Sequence, residues 1–374
     1  MGCNSSSAAP EANVQKQRRR LSVGNVEVAA VEAEDHSSED DRGLIAQFSQ
    51  QNLVDMVSKE GAGGRRLSSL GSTTDQNPTS FANKTTQLLG DQLQQQGLGY
   101  TCRKGLKPES PNQDSWCLLK TEDFSIYGVF DGHGQKGHDV SNFVKDVLPK
   151  LIVRDSRTAT GEWGPILCDS FKKTQSMVST SDRIKQLSAQ MSGTTATVAV
   201  HDHRNNKITL AHVADSTAVL GTRHGNEWRG VALTRDHKPN LKDEKARIEK
   251  AGGRVVFDGY ANHRVYAHNA RYPGLNMSRC LGDLLGHQDC GISCEPEVST
   301  VDTSGKEQIL FLCSDGVWEF ISPQEAVGLV NHYSAAEAQK AADFLAKEAW
   351  DRWIREEGGA VVDDITVILV YLKS

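Results

Sequence analysis

No stretch of this 374-residue chain approaches the roughly 18 consecutive apolar residues that a membrane-spanning helix needs. The polar N-terminus is also unlike a secretory signal. The eight cysteines follow no disulfide rhythm, and Cys117 and Cys313 stand inside strand-like runs, so buried reduced thiols are expected. His287, Cys290 and Cys294 lie close in sequence, but a fourth ligand at matching spacing is missing, which argues against zinc. A net charge of −6 gives no reason to expect nucleic-acid binding. Regular strand–helix–strand alternation is absent too, and strand pairs with helices between them predict an α+β fold.

Residues 1–85 are rich in Ser, Gln, Asn, Glu and Gly and predict a disordered regulatory tail, whereas 86–374 alternate strand-like and helix-like apolar patterns, enough for one large core. Within the tail, Leu44, Ile45, Phe48, Val54 and Val57 fit one face of a short amphipathic helix, docked on the folded domain or on a membrane. Farther on, Val140, Phe143, Val144, Val147, Leu148 and Leu151 follow helical spacing, with Pro149 bending or ending the helix. Ser322 with Glu325, and Ser334 with Glu337, form capping boxes that open two late helices. Ala341, Leu345, Trp350 and Trp353 give the second of these an apolar face, read as core.

Aspartates mark the ends of the strand-like runs. Residues 125–130 run into Asp131-Gly132-His133-Gly134, and 308–313 run into Ser314-Asp315-Gly316. Asp363 and Asp364 precede the run 365–371, Gln113 and Asp114 precede 115–119, and 207–214 end at Asp215. In an antiparallel sheet the end of one strand lies beside the start of its neighbour, so these carboxylates are expected on a single edge. Carboxylates gathered in this way repel one another unless a cation neutralises them, and an all-oxygen set suits Mg²⁺ or Mn²⁺. Two such ions can clamp an in-line phosphoryl displacement and make hydroxide available near neutral pH.

The ordered blocks Phe130-Asp131-Gly132-His133-Gly134, Ser192-Gly193-Thr194-Thr195-Ala196, Met277–Asp283, Ser314–Trp318 and Asp363–Thr366 resemble the metal-dependent protein serine/threonine phosphatases of type 2C, over roughly residues 86–374. The resemblance implies a four-layer α-β-β-α sandwich with two central antiparallel sheets, and a phosphorylated protein as substrate. It implies two Mn²⁺ or Mg²⁺ ions, with Asp131 bridging both, the Gly132 carbonyl on one, and Asp315 and Asp363 on the other. Asp114 would orient a metal-bound water and His133 would act as the general acid. Asp215 and Glu319 match the positions of a weaker third ion. The segment from Gly252 to Asp283 resembles the family's flap, with Arg254, Arg264 and Arg271 read as substrate contacts or solvated side chains.

Four positions depart from the family pattern: Gln113 stands for Glu, Glu109 for a phosphate-gripping Arg, Glu319 for Asp, and Asp364 for Asn. Gln113 is expected to ligate or to hold a metal-bound water, without adding charge. Arg103, Lys104 and Lys107 are the candidates to grip phosphate in place of the Arg. Gln113 and the missing Arg also motivate an alternative, a catalytically weak, membrane-tethered binding module. None of the cysteines has an Arg six positions on, which argues against a cysteine-dependent tyrosine phosphatase.

Met1-Gly2-Cys3-Asn4-Ser5-Ser6 fits the pattern for myristoylation of Gly2, and Cys3 is placed for palmitoylation. One acyl chain binds membranes only marginally, and Cys3 or the basic run Lys16–Arg20 supplies the second signal. The protein is therefore expected at the cytoplasmic face of a membrane, as a monomer, in a form that resembles plant or protist members. Arg19-Arg20-Leu21-Ser22 and Arg65-Arg66-Leu67-Ser68 look like sites for basic-directed kinases.

Overall fold

A computed structural model describes residues 39–58, 67–73, 86–89, 97–107, 111–303 and 308–372. The first described elements are helices α1 (Glu39–Gln50) and α2 (Leu53–Ser58), then strands β1 (Leu67–Thr73), β2 (Thr86–Leu89), β3 (Leu98–Arg103), β4 (Asp114–Thr121) and β5 (Phe124–His133). Helices α3 (Gly137–Arg154) and α4 (Trp163–Arg183) lead to β6 (Gly193–Thr194), β7 (Ala196–Asp202), β8 (Lys207–Val213), β9 (Thr217–His224) and β10 (Glu227–Ala232). Next come α5 (Lys242–Lys250), β11 (Arg254–Phe257), β12 (His263–Tyr266), β13 (Pro273–Leu275), β14 (Leu281–Gly282) and α6 (Leu284–Cys290). The last elements are β15 (Glu297–Asp302), β16 (Gln308–Cys313), α7 (Asp315–Trp318), α8 (Pro323–Val330), α9 (Ala338–Glu356) and β17 (Ile365–Leu372).

Two antiparallel sheets form the centre. One runs β15-β8-β7-β5-β4-β1-β2 with β6 and β14 appended, and the other runs β10-β9-β16-β17-β3. Strand alternation builds the layers. Along β5, Phe124, Ile126 and Phe130 face the α3–α4 layer, while Tyr127 and Val129 face the second sheet. Along β16, Leu310 and Leu312 meet that first sheet, and Ile309, Phe311 and Cys313 face α8 and α9. Each fully buried large apolar side chain contributes roughly 1.5–3 kcal/mol, so the three interleaved cores fix the expected α-β-β-α sandwich. Both capping boxes form, at Ser322 with Glu325 and at Ser334 with Glu337, the second opening a 3-10 turn that feeds α9. Pro149 lies inside α3, which continues to Arg154.

The expectation of disorder over 1–85 fails for part of that segment. Helix α1 docks on α4 and α2 on α3, with Ile45, Phe48 and Val57 buried. Asp41, also buried, accepts from Ser176 and from Thr180 (3.3 Å), and pairs with Lys173 (2.6 Å) on α4. Lys150 of α3 donates to the Phe48 carbonyl at 2.7 Å. The amphipathic face read from sequence is a docking face on the domain itself. Strand β1 pairs with β4, so residues 67–73 also belong to the sandwich.

Candidate metal centre

The strand ends that carry the aspartates meet, but across two sheets rather than on one edge, and among the described residues the oxygens of Asp131, Asp315 and Asp363 do not converge within 4.8 Å of one another. Asp114 and Asp131 are register partners on β4 and β5 of the first sheet. Asp315 opens α7 just after β16, and Asp363 precedes β17, both in the second sheet. Two hydroxyls sew these ends together: Ser314 and Thr366 each donate to Asp114 Oδ2 at 2.7 Å. Burial, the nearby Asp364 and then Asp363 push Asp114 up to about 7, against the two hydroxyls that lower it.

Glycine is required twice at this junction. A Cβ on Gly132 would stand 2.4 Å from the Gly137 carbonyl oxygen and 2.7 Å from that of Gln113. A Cβ on Gly316 would stand 2.0 Å from the Asp364 oxygen. Close backbone approach, beyond freeing the Gly132 carbonyl, therefore explains the first glycine.

Gln113 is braced on every side. Its backbone N–H donates to Asp364 Oδ2 (2.8 Å), and its carbonyl accepts from Gly132 (3.1 Å) and Ser141 (2.6 Å). Its side-chain Nε2 donates to the Gly134 carbonyl at 2.7 Å, so the amide tethers the turn that carries His133. Asp364 does more than the small change from Asn suggests. Its Oδ1 accepts from the Gly105 N–H at 2.7 Å while Oδ2 serves Gln113, one oxygen for each backbone amide. An Asn offers only one such acceptor.

Of the three candidate cations, Lys107 reaches the centre, where it pairs with Asp363 Oδ1. Lys104 turns to the Lys107 carbonyl at 2.8 Å, and Arg103 lies opposite Ile365 in the β3–β17 pairing. Glu109, Gly2, Cys3, Ser22 and the basic run Lys16–Arg20 lie outside the described residues, and of Ser68 only the strand position is described.

Beside this group, Asp215 pairs with Lys238, and Asp236 accepts from Thr217 Oγ1 at 3.0 Å. Burial and Asp215 raise Asp236 to about 6, and Asp315 adds to the rise. Burial alone would depress Lys238, but Asp215, Asp236 and Asp315 outweigh it and hold the ammonium above its usual value. Glu319 caps the α7 turn that Asp315 opens and is half-buried. Sequence reasoning missed Asp236 and Lys238, whose signal was a charged pair around His237 directly before a Pro.

His133 Nε2 lies 2.5 Å from Asp283 Oδ2, and Cys280 Sγ donates to the same oxygen at 3.2 Å. Asp283 belonged to a quoted motif but had no assigned role. Ligand atoms converge, among the described residues, in two groups: His133–Cys280–Asp283 and His212–His237–Glu297. His287, Cys290 and Cys294 are not one of these groups; His287 Nε2 meets the Cys280 carbonyl at 3.2 Å. In the flap, Arg254 donates to the carbonyls of Ala267 and Ala270, and Arg264 to Gly274 and Asp258, so both staple β11–β13. Arg271 is exposed.

A family model described as protein phosphatase 2C matches residues 101–357. An Arabidopsis thaliana relative, probable protein phosphatase 2C 61, is 36% identical over 70% of this chain and 81% of its own length. A rice relative, probable protein phosphatase 2C 48, is 34% identical over 70% of this chain and 80% of its own. Among solved structures, a serine-threonine phosphatase 2C from Toxoplasma gondii superposes with a TM-score of 0.66 at 20% identity, covering 81% of this chain and 99% of that one. That likeness concerns the fold.

Proposed function

The chain belongs to the protein phosphatase 2C family, and on that basis we propose that it hydrolyses phosphoserine and phosphothreonine at a two-ion site built on Asp131, Gly132, Asp315 and Asp363. The protein is a metal-dependent protein serine/threonine phosphatase, and its family uses Mn²⁺ or Mg²⁺. The donor set suits such ions. It is all oxygen, and beside it Asp114 is lifted to about 7 by burial first, then by Asp364 and Asp363, so carboxylate charge is costly here and a cation would relieve it. The meeting of the aspartate-bearing ends of two sheets, tied together through Asp114 by Ser314 and Thr366, is the observation that carries the proposal.

In this reading Asp131, the Gly132 carbonyl, Asp315 and Asp363 would hold two ions, which would supply charge neutralisation and an attacking water activated near neutral pH. Asp114, fixed by Ser314 and Thr366, orients that water. Lys107, already at Asp363, grips the phosphoryl oxygens in place of the family's Arg. As the phosphorus–oxygen bond to the seryl oxygen breaks, His133 gives that oxygen its proton, leaving serine and inorganic phosphate. Gln113 is a strut for the His133 turn rather than a ligand. Asp215, Asp236 and Glu319 would hold a weaker third ion, beside Lys238, which pairs with Asp215.

Turnover of a phosphoserine peptide tests this reading. It should rise with Mn²⁺ to saturation and vanish with chelator, whereas metal-independent or absent turnover would favour the binding-module alternative.

The sequence supports attachment to a membrane's cytoplasmic face, as a monomer, through acylated Gly2 and Cys3 backed by Lys16–Arg20. Gly2→Ala should move the protein to the soluble fraction in cells, and unchanged fractionation would remove the anchor.

A further inference from the structure

Asp283 is built into the centre at some cost. It is 1% exposed, and its φ of +44° is left-handed for a residue with a side chain. Strain of this kind persists only where surroundings over-determine it. Here the Asp283 N–H donates to the Ser192 carbonyl at 2.9 Å, and the following helix α6 begins at once. Aspartate at a helix N-cap ordinarily turns its carboxylate onto the first backbone amides. Asp283 makes no such bond; its Oδ2 goes instead to His133. Gly193 leaves the space for this pair, because a Cβ there would stand 2.1 Å from Asp283 Oδ2 and 2.8 Å from His133 Nε2.

We infer that Asp283 is the positioning residue for His133, fixing the orientation of the imidazole through Nε2. With that nitrogen held on the carboxylate, the ring cannot swing away and the charge of the imidazolium is balanced. The Cys280 thiol, donating to the same Oδ2, keeps the carboxylate from rotating away. The inference rests on His133 acting as the general acid.

A leaving-group comparison tests it. Serine leaves as an alkoxide and needs the proton, whereas p-nitrophenolate is stable as an anion and does not. At saturating Mn²⁺, Asp283→Asn should lower kcat on a phosphoserine peptide roughly 10- to 100-fold but change p-nitrophenyl phosphate turnover less than about threefold. Asp283→Ser, which also keeps a short neutral acceptor, should repeat that pattern, and the half-saturating Mn²⁺ concentration should stay put in both. His133→Asn should show the same selectivity. Selective loss in His133→Asn with equal loss on both substrates, or none, in the two Asp283 variants would overturn the inference and leave the acid reading standing. A His133→Asn variant without selectivity would remove the acid reading itself, and the inference with it.

Discussion

Gln113→Glu separates a strut from a ligand. The Gln113 amide donates to the Gly134 carbonyl at 2.7 Å, and its backbone is fixed by Asp364, Gly132 and Ser141. A carboxylate of the same length has no hydrogen to offer, so oxygen faces oxygen. Losing that part-buried bond costs about 0.5–1.5 kcal/mol. The new charge stands beside Asp114, which burial first and then Asp364 and Asp363 already lift to about 7, and it adds repulsion when no ion is bound. The metal-free variant should therefore lose about 1–3 kcal/mol of stability in urea titration, part of it recovered with Mn²⁺. On a phosphoserine peptide at saturating Mn²⁺ its kcat should fall several-fold, because the turn bearing His133 loosens. Gln113→Met keeps the length without donor or charge, and it isolates the hydrogen bond: about 0.5–1.5 kcal/mol and a comparable fall in kcat. If Gln113→Glu instead bound Mn²⁺ more tightly with undiminished turnover, the position would be a ligand and the strut reading wrong.

Two further expectations follow from buried charge. Lys107→Ala removes a charge-assisted contact to phosphate, roughly 1.5–3 kcal/mol, so KM for a phosphopeptide should rise about tenfold or more. Freed of its ammonium, Asp363 should hold Mn²⁺ more tightly, and an unchanged KM would return the phosphate role to Arg103 or Lys104. His237 is buried, stacked on His212 at 4.5 Å and accepts from the Ala214 N–H at 3.1 Å; burial first, then His212, lower it to about 3. Unfolded, it protonates near 6.5, so its stabilisation is intact above that pH and drains away as pH falls toward 3, by about 1.4 kcal/mol per unit. Between pH 6.5 and 5 the Mn²⁺-loaded protein should lose about 2 kcal/mol through this group, and His237→Gln should flatten the slope. The raised carboxyls of Asp114 and Asp236 act with the opposite sign in the metal-free protein, which is why ions are kept present. An equal slope in wild type and variant would contradict the assignment.

The strands were legible because β4, β5, β8, β16 and β17 are apolar runs closed by aspartates, a strong local signal. Their distribution was not. Whether β5 and β16 share a sheet depends on pairings such as β5 with β7 and β16 with β9, each set by distant residues. The single edge inferred from strand ends is therefore two facing edges. The α1 face was visible as periodicity, yet its partner was not, since Ser176 and Lys173 lie more than a hundred residues away. Lys107 could not be chosen over Lys104 from sequence, because the choice is made by the loop that turns Lys104 onto the Lys107 carbonyl. Nor does a one-letter Gln say which amide atom faces the turn. Asp283 was hidden for a similar reason: a residue before a helix reads as a cap, and only coordinates show its side chain aimed at His133.

The central claim is that one carboxylate, Asp131, serves both ions. Mn²⁺ binding by calorimetry and phosphoserine peptide turnover should be measured side by side on wild type and Asp131→Ala. The account predicts a folded variant, with unaltered circular dichroism, that loses high-affinity binding of both ions and with it turnover. An Asp131→Ala protein that still binds two ions and turns over peptide near the wild-type rate would contradict it.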